Sequence, residues 1–220
     1  MTAIAKAAMS LSMLALLAAC AAQRPAPMKE DELSLSLQPQ IHAVHHEPQR
    51  AFSVQSTGYI VAAVLLPTPL VFLAATADGD ELKREFALED PVSRMKQRLV
   101  SSLESRLKLT NMTAVSAPLR DDDIETLKRD FESGLVLDVR TVKWGIDNNR
   151  ARYSARARLV RLADSSVLWE ATCHDLVPGK AGPTRTRAAL VANQGELLKS
   201  ELREAADACA DQLAGWVIGK

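Results

Sequence analysis

Residues 135–177 read LVLDVRTVKWGIDNNRARYSARARLVRLADSSVLWEATCHDLV. Apolar and polar side chains alternate in three runs, which begin at Leu135, Ala151 and Val167. Two short sequences of turn-forming residues, DNN and DS, separate the runs. Successive side chains of a strand point to opposite faces of a sheet, so this stretch predicts an antiparallel three-stranded meander with one buried face.

The last element is predicted to be a long helix. Asn193 and Glu196 have the spacing of a capping box, with asparagine at the cap. The apolar stripe that follows at helical spacing consists of Leu198, Leu202, Ala205, Cys209, Leu213 and Trp216. A stripe about five turns long predicts that this helix lies across the buried face of the meander.

Two cysteines are placed to meet in this arrangement. Cys173 lies on the buried face of the third strand, and Cys209 lies on the apolar stripe. In an oxidising compartment such a pair is expected to form a disulfide. Two independent buried thiols are the alternative. The pattern predicts which way each side chain faces, but it does not show that the two Cα atoms are separated by the distance of about 5.5 Å that a disulfide requires.

Two shorter helices and a strand are predicted before the meander. The first helix starts at Asp90-Pro91, a typical cap followed by proline at the first helical position. Its apolar stripe is Val92, Met95, Leu99, Leu103 and Leu107, and its outward residues are Arg94, Lys96, Arg98 and Glu104. A short strand is expected around Met112–Ser116.

The second helix follows three aspartates, Asp121 to Asp123, and carries Ile124, Leu127 and Phe131 on its apolar face. Acidic residues stabilise a helix N-terminus, and the triplet lacks the glycine and the final glutamate of a calcium-binding loop. The fold class predicted from all these elements is α+β. It is an antiparallel sheet with a three-stranded meander, packed by a long C-terminal helix and one or two further helices.

Composition excludes several classes of protein. The 220 residues include 27 Lys+Arg and 27 Asp+Glu, and 47% of them are hydrophobic. That balance is globular rather than disordered. A formal net charge of zero argues against nucleic-acid binding, which requires a basic surface.

The N-terminus resembles the signal peptide of bacterial lipoproteins. Lys6 precedes an apolar run from Ala7 to Ala19, and the run ends in LAAC at Cys20, which is similar to a lipobox. The resemblance implies cleavage after residue 19 and lipidation of Cys20. Because Ala21 follows instead of aspartate, it also implies sorting to the periplasmic face of the outer membrane. An ordinary secretory signal is the alternative.

We therefore predict three regions: a signal peptide at 1–19, a lipidated N-terminus and flexible tether at 20–57, and a single α+β periplasmic domain at 58–220. The tether is rich in proline and polar residues. It contains His42, His45, His46 and Glu47. His42 and His46 would share one face of a helix and form a metal-binding pair, but flanking prolines disfavour a helix, so we expect a solvated cluster and no metal site.

An apolar segment at residues 59–77 is harder to interpret. Its length would suffice to span a membrane, but Pro67 and Pro69 oppose a continuous helix. Three interpretations stay open: a buried strand from Tyr59 to Leu66 followed by a loop, a hairpin that touches the membrane, or a subunit contact. We favour burial within the domain or an oligomer.

No catalytic motif is found in the sequence, and we expect neither enzymatic activity nor a cofactor. Cys173-His174-Asp175 suggests a nucleophile with its base, but neighbouring side chains in a strand project to opposite faces.

The surface feature of most interest is a row of arginines on one face of the meander, comprising Arg140, Arg152, Arg156 and Arg158. Arginine binds phosphate and carboxylate groups well, so the row predicts an anion-binding face. The alternative is a solvated sheet face on which Asp138 and Glu170 pair with the arginines across strands.

The segments from Gly134 to Gly145 and from Arg152 to Leu159 are similar to those of uncharacterised bacterial envelope lipoproteins. At the level of fold the chain resembles lipopolysaccharide-assembly and curli- and Pel-type secretion lipoproteins. This resemblance implies a non-enzymatic accessory or assembly component of envelope transport or secretion. Its implied partners are the membrane, through Cys20, and an envelope protein or further copies of itself. The alternative function is capture of an anionic envelope component, such as lipid or lipopolysaccharide, on the arginine face.

Overall fold

The structure of the protein is a computed structural model. It describes Met28 and residues 40–47, 51–55, 68–173 and 186–217, with the backbone alone for residues 68–76. The predicted signal peptide, Cys20, the strand expected at Tyr59–Leu66 and His174 lie outside the described residues.

The described residues form an α+β domain, which confirms the predicted class. The strands are β1 (Ile41–His45), β2 (Ser53–Gln55), β3 (Met112–Ala114), β4 (Leu135–Asp147), β5 (Arg150–Arg161) and β6 (Ser166–Thr172). The helices are α1 (Thr68–Glu85), α2 (Val92–Leu107), α3 (Ile124–Phe131) and α4 (Arg187–Val217).

All six strands belong to one sheet, with the order β3-β1-β4-β5-β6 and with β2 also paired to β4. The β4-β5-β6 meander is antiparallel as predicted. The sheet as a whole is mixed rather than antiparallel, because β1 runs parallel to both β3 and β4, and β2 runs parallel to β4.

The prediction of a flexible tether up to residue 57 is wrong for β1 and β2. Ile41 pairs with Leu135 at the start of β4, and Ser53 pairs with Gly145 near its end. The two short strands thus add successively to β4, and their backbone groups are bonded by a strand far away in the sequence. Isolated segments of this length have no stability of their own, which is why composition alone suggested a tether.

Helix α1 is also absent from the sequence-based prediction, which left open a buried strand with a loop, a membrane hairpin or a subunit contact for residues 59–77. Pro69 is the second residue of this helix, where a missing N–H is tolerated because the first turn has no intrahelical acceptor for it. Gly79 brings the helix against β2, since a Cβ at this position would lie 1.7 Å from the Phe52 carbonyl oxygen. Among the described helices, none has the length and apolarity required to cross a bilayer.

The two faces of the sheet are covered differently. Helices α2 and α4 pack on one face and enclose the main core, which includes Trp144 and Tyr153. The other face carries a small apolar cluster beneath α3, formed by Val44, Leu127, Val136, Val160 and Leu162. Alternate residues of β4 and β5 contribute to the two clusters, as the period-two pattern predicts.

The C-terminal helix α4 is interrupted where the sequence predicts its start. Residues Ala192 to Gly195 depart from helical geometry, and the long helical stretch follows them. Asn193 has φ of 52°, in the left-handed region, rather than the extended backbone of a capping residue. The predicted stripe is otherwise correct, because its residues from Leu198 to Leu213 are buried in the main core.

Candidate functional site

The most unusual feature of the described domain is a group of charged and polar side chains buried at the end of β1. His45 is 6% exposed and His46 is 1% exposed, so the expected solvated histidine cluster is wrong. Their side chains point to opposite faces of the sheet, as neighbouring strand residues do. Among the described residues there is no group of three or more His, Cys, Asp and Glu that could hold a metal ion.

On the face covered by α2, His45 contacts Lys96. The Lys96 Nζ lies 3.0 Å from the His45 Nδ1, and it also donates to the Val115 carbonyl oxygen. Lys96 is 1% exposed, which corrects its predicted outward position. It occupies the helical face next to Met95 and Leu99, where its long stem packs in the core while its ammonium group reaches acceptors at the end of β1.

Burial disfavours charge on both members of this pair. It lowers the pKa of Lys96. It also lowers the pKa of His45 to about 4, and the positive charge of Lys96 and the neighbouring His46 contribute in the same direction. His45 is therefore neutral at pH 7, and its Nδ1 accepts the hydrogen bond from Lys96.

On the opposite face, Asp138 of β4 is the centre of the network. Its Oδ1 is bonded to the His46 Nε2, and its Oδ2 accepts from the Arg158 Nε at 2.5 Å. Arg156 Nη2 lies 3.4 Å from the same Oδ2. Burial raises the pKa of Asp138, but the hydrogen bond and charge of His46 and the charges of the two arginines outweigh it and hold the pKa below the ordinary value.

Asp122 extends this network to the loop before α3. Its carboxylate accepts from Arg140 and, at 3.1 Å, from Arg156. Its backbone carbonyl accepts from Arg158. Asp123 caps α3 by accepting from the Thr126 N–H at 2.8 Å, as the acidic triplet predicts.

The structure brings together three of the four predicted anion-binding arginines. Arg140, Arg156 and Arg158 share Asp122 and Asp138, whereas Arg152 lies apart and pairs with Asp147 at 3.1 Å. Cross-strand pairing with Asp138 is therefore present. Asp138 and Arg158 are buried, whereas Arg140 and Arg152 are half-buried and Glu170 is exposed, so only part of this face is removed from solvent.

A second buried polar group, which the sequence did not reveal, lies on the helix-covered face. The Thr141 hydroxyl donates to Asp90 at 2.7 Å and lies 3.2 Å from the Tyr153 hydroxyl oxygen. Burial raises the pKa of Asp90 and raises the pKa of Tyr153 well above its ordinary value. Asp90 also accepts from the Val92 N–H at 3.0 Å. The helix begins at Val92 with Pro91 as its N-cap, so the predicted cap and first helical residue are each one position early.

The predicted disulfide is present. Cys173, directly after β6, and Cys209 of α4 are bonded, with their Cα atoms 5.5 Å apart. The alternative of two independent thiols is therefore wrong. The bridge joins the last strand of the meander to the helix that covers it.

These contacts indicate that the network holds distant segments together. His46 and His45 attach the end of β1 to β4 and α2, and the arginines attach the loop before α3 to the sheet. The groups mostly satisfy one another, as buried polar groups must, although the Nδ1 of His46 and the Nε of Arg156 have no hydrogen-bond partner in the described structure.

The buried His45 predicts a specific dependence of stability on pH. We expect the free energy of unfolding to fall between about pH 6.5 and pH 4, because the unfolded chain binds a proton at His45 with an ordinary pKa and the folded chain does so only near pH 4. The loss from this group is at most about 3 kcal/mol. His45→Gln keeps an acceptor for Lys96 and should flatten the profile, measured by urea unfolding at several pH values.

The difference between the profiles of His45→Gln and the parent measures the contribution of His45 to the pH dependence of stability. The lowered pKa of Asp138 causes loss of stability only below its ordinary value of 3.8, and the raised pKa of Asp90 acts in the opposite direction. His42→Gln, on the same strand, is the comparison and should flatten the slope less than His45→Gln does, because burial also lowers the pKa of His42 but lowers that of His45 further. Parallel profiles for the parent and His45→Gln would contradict the prediction.

Comparison with known proteins identifies no family for the chain. No family model matches it, and no curated protein is significantly similar in sequence. Among solved structures, a PelC dodecamer from Paraburkholderia phytofirmans is 11% identical over 84% of this chain and 93% of that chain, with a TM-score of 0.31.

Two further structures are similar at the same level. A Xanthomonas campestris protein of the family model DUF330 is 12% identical over 82% of this chain and 84% of that chain, with a TM-score of 0.40. A hypothetical protein from Chlamydia trachomatis is 9% identical over 83% of this chain and 99% of that chain, with a TM-score of 0.34. All three TM-scores are low. The chain is similar to these proteins but is not assigned to their families.

Proposed function

We propose that the protein is a lipoprotein anchored at the periplasmic face of the bacterial outer membrane, where it serves as a non-enzymatic accessory or assembly component of envelope transport or secretion. The observation that carries the proposal is the N-terminal sequence. A lysine, a short apolar run and LAAC at Cys20 occur in the order that lipoprotein processing requires. Ala21 supports the outer rather than the inner membrane.

The disulfide gives independent support for an envelope location. Stable structural disulfides form in the periplasm and outside the cell, whereas thiols of cytosolic proteins are kept reduced. The bridge between Cys173 and Cys209 lies inside the domain core, where both residues are buried.

The buried charge network gives no support for catalysis by the described residues. The groups of unusual pKa, among them His45, Lys96 and Asp138, are almost fully buried, and their contacts are to other groups of the chain. A catalytic group must reach a substrate, and burial of this degree leaves these side chains without such access.

Anion capture on the arginine face gains no support from this arrangement. Asp122 and Asp138 of the chain itself already pair with Arg140, Arg156 and Arg158. An anionic ligand would have to compete with those two carboxylates.

Substitution of the lipidated cysteine tests the anchor. We expect the parent protein to sediment with membranes and to resist extraction by salt, and Cys20→Ser to appear in the soluble periplasmic fraction, since several acyl chains anchor a protein durably. A double variant, Cys173→Ser with Cys209→Ser, is the matched control and should remain with the membrane. Membrane retention of Cys20→Ser would contradict the proposal.

The mass of the intact protein in mild detergent tests the assembly role. We expect either a defined multimer or a co-purifying envelope protein, measured by native mass spectrometry. A monomer with no partner would contradict assembly and leave the anchor unaffected.

A further inference from the structure

Met28 occupies an unexpected position in the domain. It is 9% exposed and belongs to the main core, although the sequence placed it in the tether. It lines a small apolar cavity together with Ile41, Leu107, Trp169 and Val217, among others. The N-terminal segment is therefore attached to the domain well before β1.

The cavity lies at one end of the domain. Ile41 is the first residue of β1, and Leu107 and Val217 are the last residues of α2 and α4. The turn between β4 and β5, at Asn148 and Asn149, lies at the opposite end of the sheet, because β4 begins at the cavity end and runs away from it.

The position of Met28 limits how far the domain can stand from the membrane. Met28 follows Cys20 by eight positions, and eight residues reach at most about 29 Å when fully extended. If the domain were attached only at Ile41, the twenty-one positions from Cys20 would allow about 75 Å. Docking of Met28 thus reduces, by more than half, the largest distance that the chain permits between the lipidated Cys20 and the domain.

The surface beside the cavity suits an anionic membrane. Arg106 and Lys108 are exposed and alternate with the cavity residues Leu107 and Leu109. Leu109 is buried and Leu107 is half-buried, so the two basic side chains are the parts of this turn that reach solvent, where they can attract anionic headgroups. Asp164, in the turn at the same end, is paired with Arg161.

We propose that Met28 is a docking residue that holds the cavity end of the domain against the bilayer, with Arg106 and Lys108 at the lipid headgroups. The inference rests on the proposed lipidation of Cys20. It replaces a long tether with a short, oriented attachment.

Two insertions of equal length test the docking. The same flexible Gly/Ser segment of about twenty residues is inserted in the full-length lipidated chain, either between Ala26 and Pro27 or between Leu33 and Ser34. The first insertion lengthens the chain between the lipid and Met28, whereas the second lies beyond Met28 and leaves that distance unchanged. The second is therefore the matched control for the first.

The readout is hydrogen exchange on vesicles of phosphatidylethanolamine and phosphatidylglycerol, relative to Cys20→Ser in solution. In the parent and in the second insertion, we expect exchange at residues 106–112 to slow about fivefold or more. The first insertion should lose most of that protection. The β4–β5 turn should exchange equally in all proteins. Met28→Asp should behave as the first insertion does, and Met28→Leu as the parent does.

Each contrary outcome has a distinct meaning. Equal exchange in the two insertion variants would overturn docking by Met28. No protection at residues 106–112 in a parent that floats with the vesicles would overturn the membrane-facing orientation and leave lipidation intact. Failure of the parent to float with the vesicles, with no acyl chains in its mass, would overturn the proposed anchor and this inference together.

Discussion

Replacing Asp138 by asparagine is expected to lower the free energy of unfolding by about 3–5 kcal/mol, the usual cost of removing one partner from a buried ion pair. Asp138 has no exposed surface and is bonded to His46 and Arg158, with Arg156 close by. Asparagine has nearly the same size but no charge. The variant therefore leaves a buried guanidinium without its counter-charge and gives His46 a weaker partner.

An exposed pair of the same chemistry supplies the control. Asp211 of α4 accepts from Arg98 of α2 at 2.7 Å, but both side chains are more than two-fifths exposed. Asp211→Asn should cost less than about 1 kcal/mol, because water screens the pair and solvates the arginine left behind. Urea unfolding of both variants at pH 7 gives the comparison. Equal losses would show that Asp138 does not hold the network together.

Loss of the Cys173–Cys209 bridge is the second large effect that we expect. The bridge closes a loop with a sequence separation of 36, for which the chain-entropy model gives about 4 kcal/mol of stabilisation. The double variant Cys173→Ser with Cys209→Ser should therefore unfold at a much lower urea concentration than the parent. The physical reason is that the unfolded chain gains conformations that the covalent link had excluded.

Reductant provides an internal control for this prediction. It should lower the stability of the parent toward that of the double variant and should leave the double variant itself unchanged. Intact mass after alkylation, with and without reductant, counts the bridged cysteines directly. The bridge would be contradicted if reductant did not change the stability of the parent and if Cys173 and Cys209 were both alkylated without reductant.

The parts of the fold that were predicted correctly depend on local patterns. Alternation of apolar and polar residues predicted β4, β5 and β6, and helical spacing predicted α2, α3 and most of α4. The same patterns placed Cys173 and Cys209 on facing surfaces, which the disulfide confirms. Each of these elements is long enough, or periodic enough, to reveal its buried face within its own residues.

The parts that were missed depend on distant partners. Residues 41–46, which comprise β1 and His46, contain three histidines and appeared polar. Lys96 was assigned to an outward face because it is charged. His46 meets Asp138 across 92 positions, and Lys96 meets His45 across 51. Nothing within either segment shows that a compensating partner will be supplied.

The amino-acid sequence by itself determined the α+β class, the meander, the long C-terminal helix and the cysteine pair, because local periodicity sets which side chains can share a buried face. Only the tertiary structure decided that β1 and β2 join β4, that three of the arginines pair with Asp122 and Asp138, and that Met28 lies in the core. The physical reason is that a polar or isolated segment can be buried only when groups distant in the chain supply its hydrogen bonds, charges and apolar contacts.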